Sequence, residues 1–320
     1  MKKHPINGAF FTGEEYLAQR ELDLTFKISF DIVSYITKEI LMQYEYIEVK
    51  TEQNIFLNGF YAKNDNKACV LFVPGLAGSF MESKFARILA QECIHDEIDF
   101  LFAHNQGSFQ IMSFPYLKDD GKLSNIMKGA AYEHFEDCVY DLGAWFDFVK
   151  DYEEVYLIAH SLGCNKVVHY LQDHKPNNLK KVILLAPQDN VNFPHLSIHE
   201  GMLEEAKANI QAENPDKLLT KKLLGGCVIS SKTYFDFITN SKINNIPYKT
   251  PNGDMSVLQK INWPTLVLIG SKEDGKVAEY MEKVAKALPK GKSAVIPNAN
   301  HVFKNQEKGL SEKIISFLKN

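Results

Sequence analysis

The run Val155-Tyr156-Leu157-Ile158-Ala159-His160-Ser161-Leu162-Gly163 constrains this chain more than any other stretch. Five consecutive apolar residues suit a strand buried on both faces. Leu162, Val167, Val168 and Leu171 then recur as one face of a helix. A strand that becomes a helix within a single residue forces that residue into a strained backbone conformation. Strand and helix nearly touch there, so the positions two before and two after must be small. Ala159 and Gly163 meet the requirement, and Ser161 between them is held proud of the sheet with its hydroxyl exposed. On these nine residues alone the catalytic reading is favoured, and a buried strand ending in a helix-capping serine is the plainer alternative.

The rest of the composition narrows the class. The chain has 320 residues, enough for one large domain with an insertion or for two small ones. With 45 % hydrophobic and 24 % charged residues, it has ample material for a core. A net charge of −4 implies no basic surface for nucleic acid or anionic lipid. The opening Met1-Lys2-Lys3-His4 is followed by Pro5, Asn7 and Gly8, and then by Glu14 and Glu15, so no export signal is expected. No stretch has the length of a transmembrane helix. Five scattered cysteines (Cys69, Cys93, Cys138, Cys164, Cys227) form no C-x-x-C pair. They suit reduced thiols in a cytoplasmic protein, against a disulfide framework or a zinc site.

Taken in order, Gly13 to Tyr44 reads as a helical extension, with Ile28, Ile32, Val33, Ile36 and Ile40 at helical spacing. Tyr46–Lys50 and Ile55–Lys63 alternate as an antiparallel hairpin. Cys69–Val73 is a buried strand ending in Pro74-Gly75-Leu76-Ala77-Gly78-Ser79, and a helix follows from about Met81 to Glu92. Ile98–Ala103 is a short strand, and the stretch to Ala131 is expected to be irregular. Glu133–Lys150 reads as a helix before the serine-bearing strand, and Val182–Ala186 as the next strand, ending at Pro187-Gln188-Asp189. Residues 190 to 259 change to helical patterns: Met202–Ile210, a second from Asn214-Pro215 to Gly225-Gly226, and an aromatic third around Tyr234–Ile238. The strand–helix rhythm resumes with Pro264–Ile269, Val277–Leu288, Ser293–Ile296 and Leu310–Leu318. The expected class is α/β: a mostly parallel sheet with helices on both faces. The expected division is an N-terminal extension (1–45), a core (46–189 and 260–320) and an inserted helical cap (190–259).

In such sheets chemistry collects at the carboxyl ends of the strands. Ser161, Asp274, His301 and the Pro74-Gly75-Leu76 turn all stand there, each on its own strand. The chain order Ser, Asp, His in this context resembles the α/β-hydrolase superfamily. The resemblance runs from about Tyr46 to the C-terminus. Besides the serine turn it rests on three stretches. Pro74–Ser79 is similar to that family's H-G-x-x-G-S oxyanion turn, Gly270…Asp274-Gly275-Lys276-Val277 to G-x-x-D-x-x-V, and Asn298–Phe303 to G-A-x-H-x-F. Ala159, Pro74 and Asn298 depart from a usual glycine, histidine and glycine. The acid loop carries one extra residue, which puts Glu273 at the expected distance from Gly270 and Asp274 at the expected distance from Val277. Asp274 is favoured on the second count; Glu273 and Asp189 stay open as alternatives.

The resemblance implies a serine hydrolase acting through an acyl-enzyme on a small-molecule carboxylic ester, with no metal or organic cofactor. Ser161 would be the nucleophile, His301 the general base, Asp274 its orienting acid, and the backbone N–H groups of Leu76 and Leu162 the oxyanion donors. A serine hydroxyl is a poor nucleophile until a neutral imidazole takes its proton. The carboxylate fixes the imidazole tautomer and stabilises the imidazolium that forms. Thioesterase or acyltransferase action, and amide or carbon–carbon bond hydrolysis, use the same set. A non-catalytic binding protein on this fold is the rival of another class. His160 is read as structural or substrate-lining and Cys164 as core. Phe193, Met202, Leu203, Tyr234, Phe235 and Phe237 suggest an apolar pocket wall, or simply packing of the inserted segment. Nothing in the sequence speaks to oligomeric state.

Overall fold

The computed structural model describes residues 27–28, 42–190, 199–273 and 276–320. Nine strands form the main sheet: β1 (Lys27–Ile28), β2 (Tyr44–Lys50), β3 (Phe56–Ala62), β4 (Ala68–Val73), β5 (Asp99–Ala103), β8 (Glu154–His160), β9 (Leu179–Leu185), β10 (Thr265–Gly270) and β11 (Gly291–Ile296). Their order is β1-β2-β3-β5-β4-β8-β9-β10-β11. The first pairings are antiparallel and every pairing from β5 to β11 is parallel. Between β5 and β8 a separate hairpin forms from β6 (Met112–Leu117) and β7 (Leu123–Lys128).

The order reverses at β4. The path from β4 to β5 runs one way along the sheet, and the path from β5 to β8 runs back past β4 to its other side. Right-handed crossovers in opposite directions put their helices on opposite faces. Accordingly α1 (Lys84–His95) packs with α7 (Glu307–Lys319), while α2 (Cys138–Phe148) packs with α3 (Leu162–Leu171). Helix α6 (Val277–Ala287) lies against β10 and β11. Covered on both sides, the central strands are apolar along their whole length: Val70, Leu71, Leu157, Ile158, Leu184 and Val267 are all fully buried.

Between β9 and β10 lie α4 (Met202–Gln211) and α5 (Ser231–Thr239). They share a second apolar cluster built around Met202, Leu223, Ile229 and Tyr234, which touches the sheet domain through Leu162 and Phe135. The helix expected over 214–226 does not form. Leu219 N–H bonds Ile229 O, Lys217 O accepts from Ser231 N–H, and Leu223 bridges Cys227, so backbone groups there pair across the loop. Leu224 at φ 53° and Gly225 at φ 74° turn the chain back on itself.

The helix expected over Gly13–Tyr44 falls mostly outside the described residues. Those of its residues that are described are not helical, because Lys27 and Ile28 pair antiparallel with Glu45 and Tyr44. The expected irregular stretch to Ala131 contains the β6–β7 hairpin. The helix expected from Glu133 becomes a 3₁₀ turn at Phe135–Asp137 followed by α2.

Candidate active site

Strands β4 and β8 are neighbours in register, Val73 opposite Ala159, on the two sides of the point where the strand order reverses. A crevice opens at such a point because the connections leave in opposite directions. Here it is a cleft of about 510 Å³ bordered by Phe72, Leu76, Phe85, His160, Ser161 and His301.

Ser161 sits between β8 and α3 at φ 55° and ψ −127°. A non-glycine residue held there stores about 1–3 kcal/mol of strain, sustained only when the surroundings fix it. The surroundings are backbone. A Cβ on Gly163 would stand 2.6 Å from Val73 O and 2.7 Å from Pro74 O, so α3 can start where it does only with glycine in that place. A Cβ on Gly75 would lie 2.8 Å from the Ser161 Cβ and 3.3 Å from Leu162 N. The turn after β4 and the turn after β8 are therefore packed main chain to main chain. Among the described residues neither Leu76 N–H nor Leu162 N–H donates a hydrogen bond. Leu162 is the first residue of α3, where a helical N–H has no partner within its own helix.

His301 lies after β11 and its Nε2 is 3.0 Å from Ser161 Oγ. Its Nδ1 is 2.9 Å from Glu273 Oε2. A carboxylate only accepts, so Nδ1 carries the proton and Nε2 offers its lone pair to the serine hydroxyl. Ser161 Oγ has a second acceptor in Gln188 Oε1, more distant at 3.4 Å.

Asp274, favoured in the sequence, lies outside the described residues. The carboxylate bonded to His301 is Glu273, one position earlier. The hydrogen bonds give the reason. Ser271 N–H bonds Ile296 O, Lys272 N–H bonds Ala299 O, and Asn298 N–H bonds Ser271 Oγ. The loop after β10 is thus laced to the loop that carries His301, and distance from the strand end sets which side chain reaches the imidazole. Asp189, the other alternative, accepts from Lys249 N–H at 2.7 Å.

His160 Nε2 donates to His301 O at 2.8 Å, and its ring sits between Phe85 and His301 at centroid distances of 5.0 and 4.9 Å. Burial, with the neighbouring His301 charge, pushes its pKa down to about 3. It stays neutral and holds the backbone under the second imidazole. Cys164 is fully buried, its thiol within reach of Ala159 O at 3.3 Å or Leu185 O at 3.4 Å, and is core as read. Phe193 is outside the described residues. Met202, Leu203, Tyr234, Phe235 and Phe237 pack into the cluster shared by α4 and α5. The one described residue of 190–259 on the cleft is Cys227.

Two features escaped the sequence reading. Gln188 was noted only as a strand end, and nothing in its neighbours points toward the serine. Lys166 and Asn105, the centre of a buried polar group beside the cleft, had one visible signal: a lysine three residues after Gly163 on the apolar side of α3.

Comparison with known proteins adds the following. The family model described as Serine hydrolase matches residues 142–232, which include Ser161 but neither Glu273 nor His301. Among solved structures, the siderophore hydrolase EstB from Aspergillus fumigatus is similar with a TM-score of 0.61 and 14 % identity, over 86 % of this chain and 97 % of that one. Est1E from Butyrivibrio proteoclasticus gives 0.56 and 14 %, over 85 % and 97 %. Dienelactone hydrolase from Anabaena variabilis gives 0.52 and 12 %, over 87 % and 97 %. No curated protein matches the sequence. The sheet order, crossovers and neighbours define an α/β-hydrolase fold. Across the strand–serine–helix turn of that fold, the chain is similar to the Serine hydrolase family.

Proposed function

We propose that this protein is a carboxylic-ester hydrolase working through an acyl-enzyme, with Ser161 as nucleophile, His301 as general base and acid, and Glu273 as the orienting carboxylate. One observation carries the reading: an unbroken hydrogen-bonded run from Glu273 through His301 to Ser161 at the strained turn. As Ser161 Oγ attacks the ester carbonyl, His301 Nε2 takes its proton, and Glu273 holds the imidazolium that forms. The carbonyl oxygen becomes an oxyanion, and the N–H groups of Leu76 and Leu162 are its donors. His301 returns the proton to the departing alcohol. Water then repeats the sequence on the acyl-enzyme and frees the acid.

Several of the structural neighbours bear names of esterases or hydrolases, and one Est1E structure holds ferulic acid. An ester with an apolar or aromatic acyl group suits walls made by Phe72 and Phe85. Residues 190–259 act as a cap, their small core resting on Leu162 beside the nucleophile. Five free cysteines suit a reducing, cytoplasmic setting.

The test is Ser161→Ala against wild type on an activated aryl ester, with fluorophosphonate labelling in parallel. The expected loss in kcat is at least about 10⁴-fold with the fold intact, and labelling at Ser161 alone. Near-wild-type turnover by folded Ser161→Ala would falsify the reading.

A further inference from the structure

We infer that a buried brace of Lys166, Asn105 and Glu133 positions the Pro74–Gly78 turn against the nucleophile, and so fixes the spacing of the two oxyanion donors. The inference rests on the esterase reading above and extends it to residues outside the reacting set.

Beyond its packing against the Ser161 turn, few hydrogen bonds hold the Pro74–Gly78 turn among the described residues. Gly78 N–H bonds Gly75 O at 3.1 Å, a contact within the turn itself, and Pro74 has no N–H to give. Among the described residues, the other hydrogen bonds that reach Pro74–Gly78 come from the loop after β5. Ala77 N–H bonds Gly107 O at 3.0 Å, Asn105 Nδ2 donates to Pro74 O at 3.3 Å, and Phe80 N–H bonds His104 Nε2 at 3.1 Å. Residues 104–107 are thus the bed on which Pro74–Phe80 lies.

That bed is fixed to the helix that carries the serine. Asn105 Oδ1 accepts from Lys166 Nζ at 2.9 Å and from Gly107 N–H at 2.9 Å. Two donors on one side of the carboxamide leave its nitrogen facing Pro74 O, so the amide orientation follows from its partners. Lys166 Nζ also pairs with Glu133 Oε1. Lys166 is 1 % exposed and Glu133 7 %, and so deep a charge pair persists only when both groups are satisfied. Asp141 secures the same loop from α2, accepting from Gln106 N–H and Gln106 Nε2 at 2.9 Å each.

The connectivity matters because Lys166 belongs to α3. The first N–H of that helix is Leu162, one proposed oxyanion donor; Leu76, the other, lies between Gly75 and Ala77. An ammonium on the first donor's helix therefore grips, through one carboxamide, the Pro74 carbonyl, two residues before the second donor. Oxyanion donors act at about 2.7–3.1 Å from the developing oxyanion, so slack of a few tenths of an ångström in this turn costs turnover. Ground-state binding in the cleft does not depend on that spacing.

Asn105→Asp is the sharp variant. It keeps volume, keeps acceptors for Lys166 and Gly107, and replaces the donor to Pro74 O with a repelling oxygen. The expected result is a fall in kcat of about 10- to 100-fold on an activated ester, with KM within about twofold. Inhibition by a trifluoromethyl ketone, whose hemiketal oxyanion needs the same donors, weakens in step with kcat. Lys166→Met, and Lys166→Met with Glu133→Gln to remove the orphaned charge, repeat the test from the helix side. The idea is overturned if folded Asn105→Asp keeps wild-type kcat and ketone affinity, or if KM rises while ketone affinity relative to substrate is unchanged. Ser161→Ala in the same assay separates the two levels. Activity that survives it removes the esterase reading, whereas failure of the brace leaves Ser161 essential.

Discussion

At the residue scale the acid is the informative position. Glu273 and Asp274 are adjacent carboxylates on a loop, and side-chain type alone does not separate them. What separates them is the lacing of the 270–273 segment to the loop after β11, which makes strand-end distance the rigid measure. Glu273→Gln keeps the size of the side chain and can hold His301 in the wrong tautomer, so kcat should fall by about 10²- to 10⁴-fold. Asp274→Asn should change kcat less than about threefold, and kinetics on one aryl ester with both variants decides between them. Gly75→Ala belongs here too. Its methyl would press on Ser161 Cβ at 2.8 Å and crowd Leu162 N. A loss in kcat of at least about 10²-fold, exceeding any rise in KM, is expected. The strand-end positions of Ser161, His301 and the Pro74–Gly78 turn were legible because each follows an apolar strand; the bond between Lys166 and Asn105 was not, because a hydrogen bond between distant segments leaves no local pattern beyond an ion on the apolar side of α3.

At the element scale, the parallel strands were readable as continuous apolar runs, and their ends fell within a few residues of expectation. The failures share a cause. In the β6–β7 hairpin Phe114 is the fully buried side chain, and Pro115 reads as a breaker although a two-stranded ribbon tolerates proline on its open edge. Over 214–226 an asparagine–proline start and a glycine pair imitate a helix, but Leu219 N–H is taken by Ile229 O, and the Pro215 and Lys217 carbonyls accept from Lys232 and Ser231 N–H. Local cues lose where non-local pairing satisfies the backbone. The α4–α5 segment has its own small core, which makes a local prediction. Tyr234 is fully buried at its centre. Tyr234→Ala should cost about 3–5 kcal/mol of local packing. Hydrogen exchange should quicken in 199–245 while the amides of β4, β8 and β9 keep their protection. Equal acceleration in the central strands would show that the segment is not a separate unit of stability.

At the scale of the whole molecule, buried titratable groups beside the cleft couple the fold to pH. His104 is 1 % exposed, and burial pushes its pKa down to about 4. Both ring nitrogens are engaged: Nδ1–H donates to Asn58 Oδ1 at 2.7 Å, and Nε2 accepts from Phe80 N–H at 3.1 Å. A second proton would set donor against donor at Phe80. The sign follows directly. Above about pH 6.5 the ring is neutral whether folded or not; between 6.5 and 4 only the unfolded chain takes the proton, so stability falls as pH falls. Asp141 works the other way. Burial raises its pKa to about 7 despite the two Gln106 bonds, so its contribution is complete below the unfolded value of 3.8 and is lost as pH rises through 7. Within pH 4.5–6 the two partly cancel, and removing one exposes the other. His104→Gln keeps an acceptor for Phe80 N–H without a titrating ring. Its stability against pH should lose about one proton of slope, roughly 1.4 kcal/mol per pH unit, relative to wild type. Urea denaturation at pH 4.5, 5.0, 5.5 and 6.0 measures that difference. Parallel curves for the two proteins would mean that His104 is protonated in the fold and that the Asn58–His104–Phe80 link beside the Pro74–Gly78 turn is not the one described.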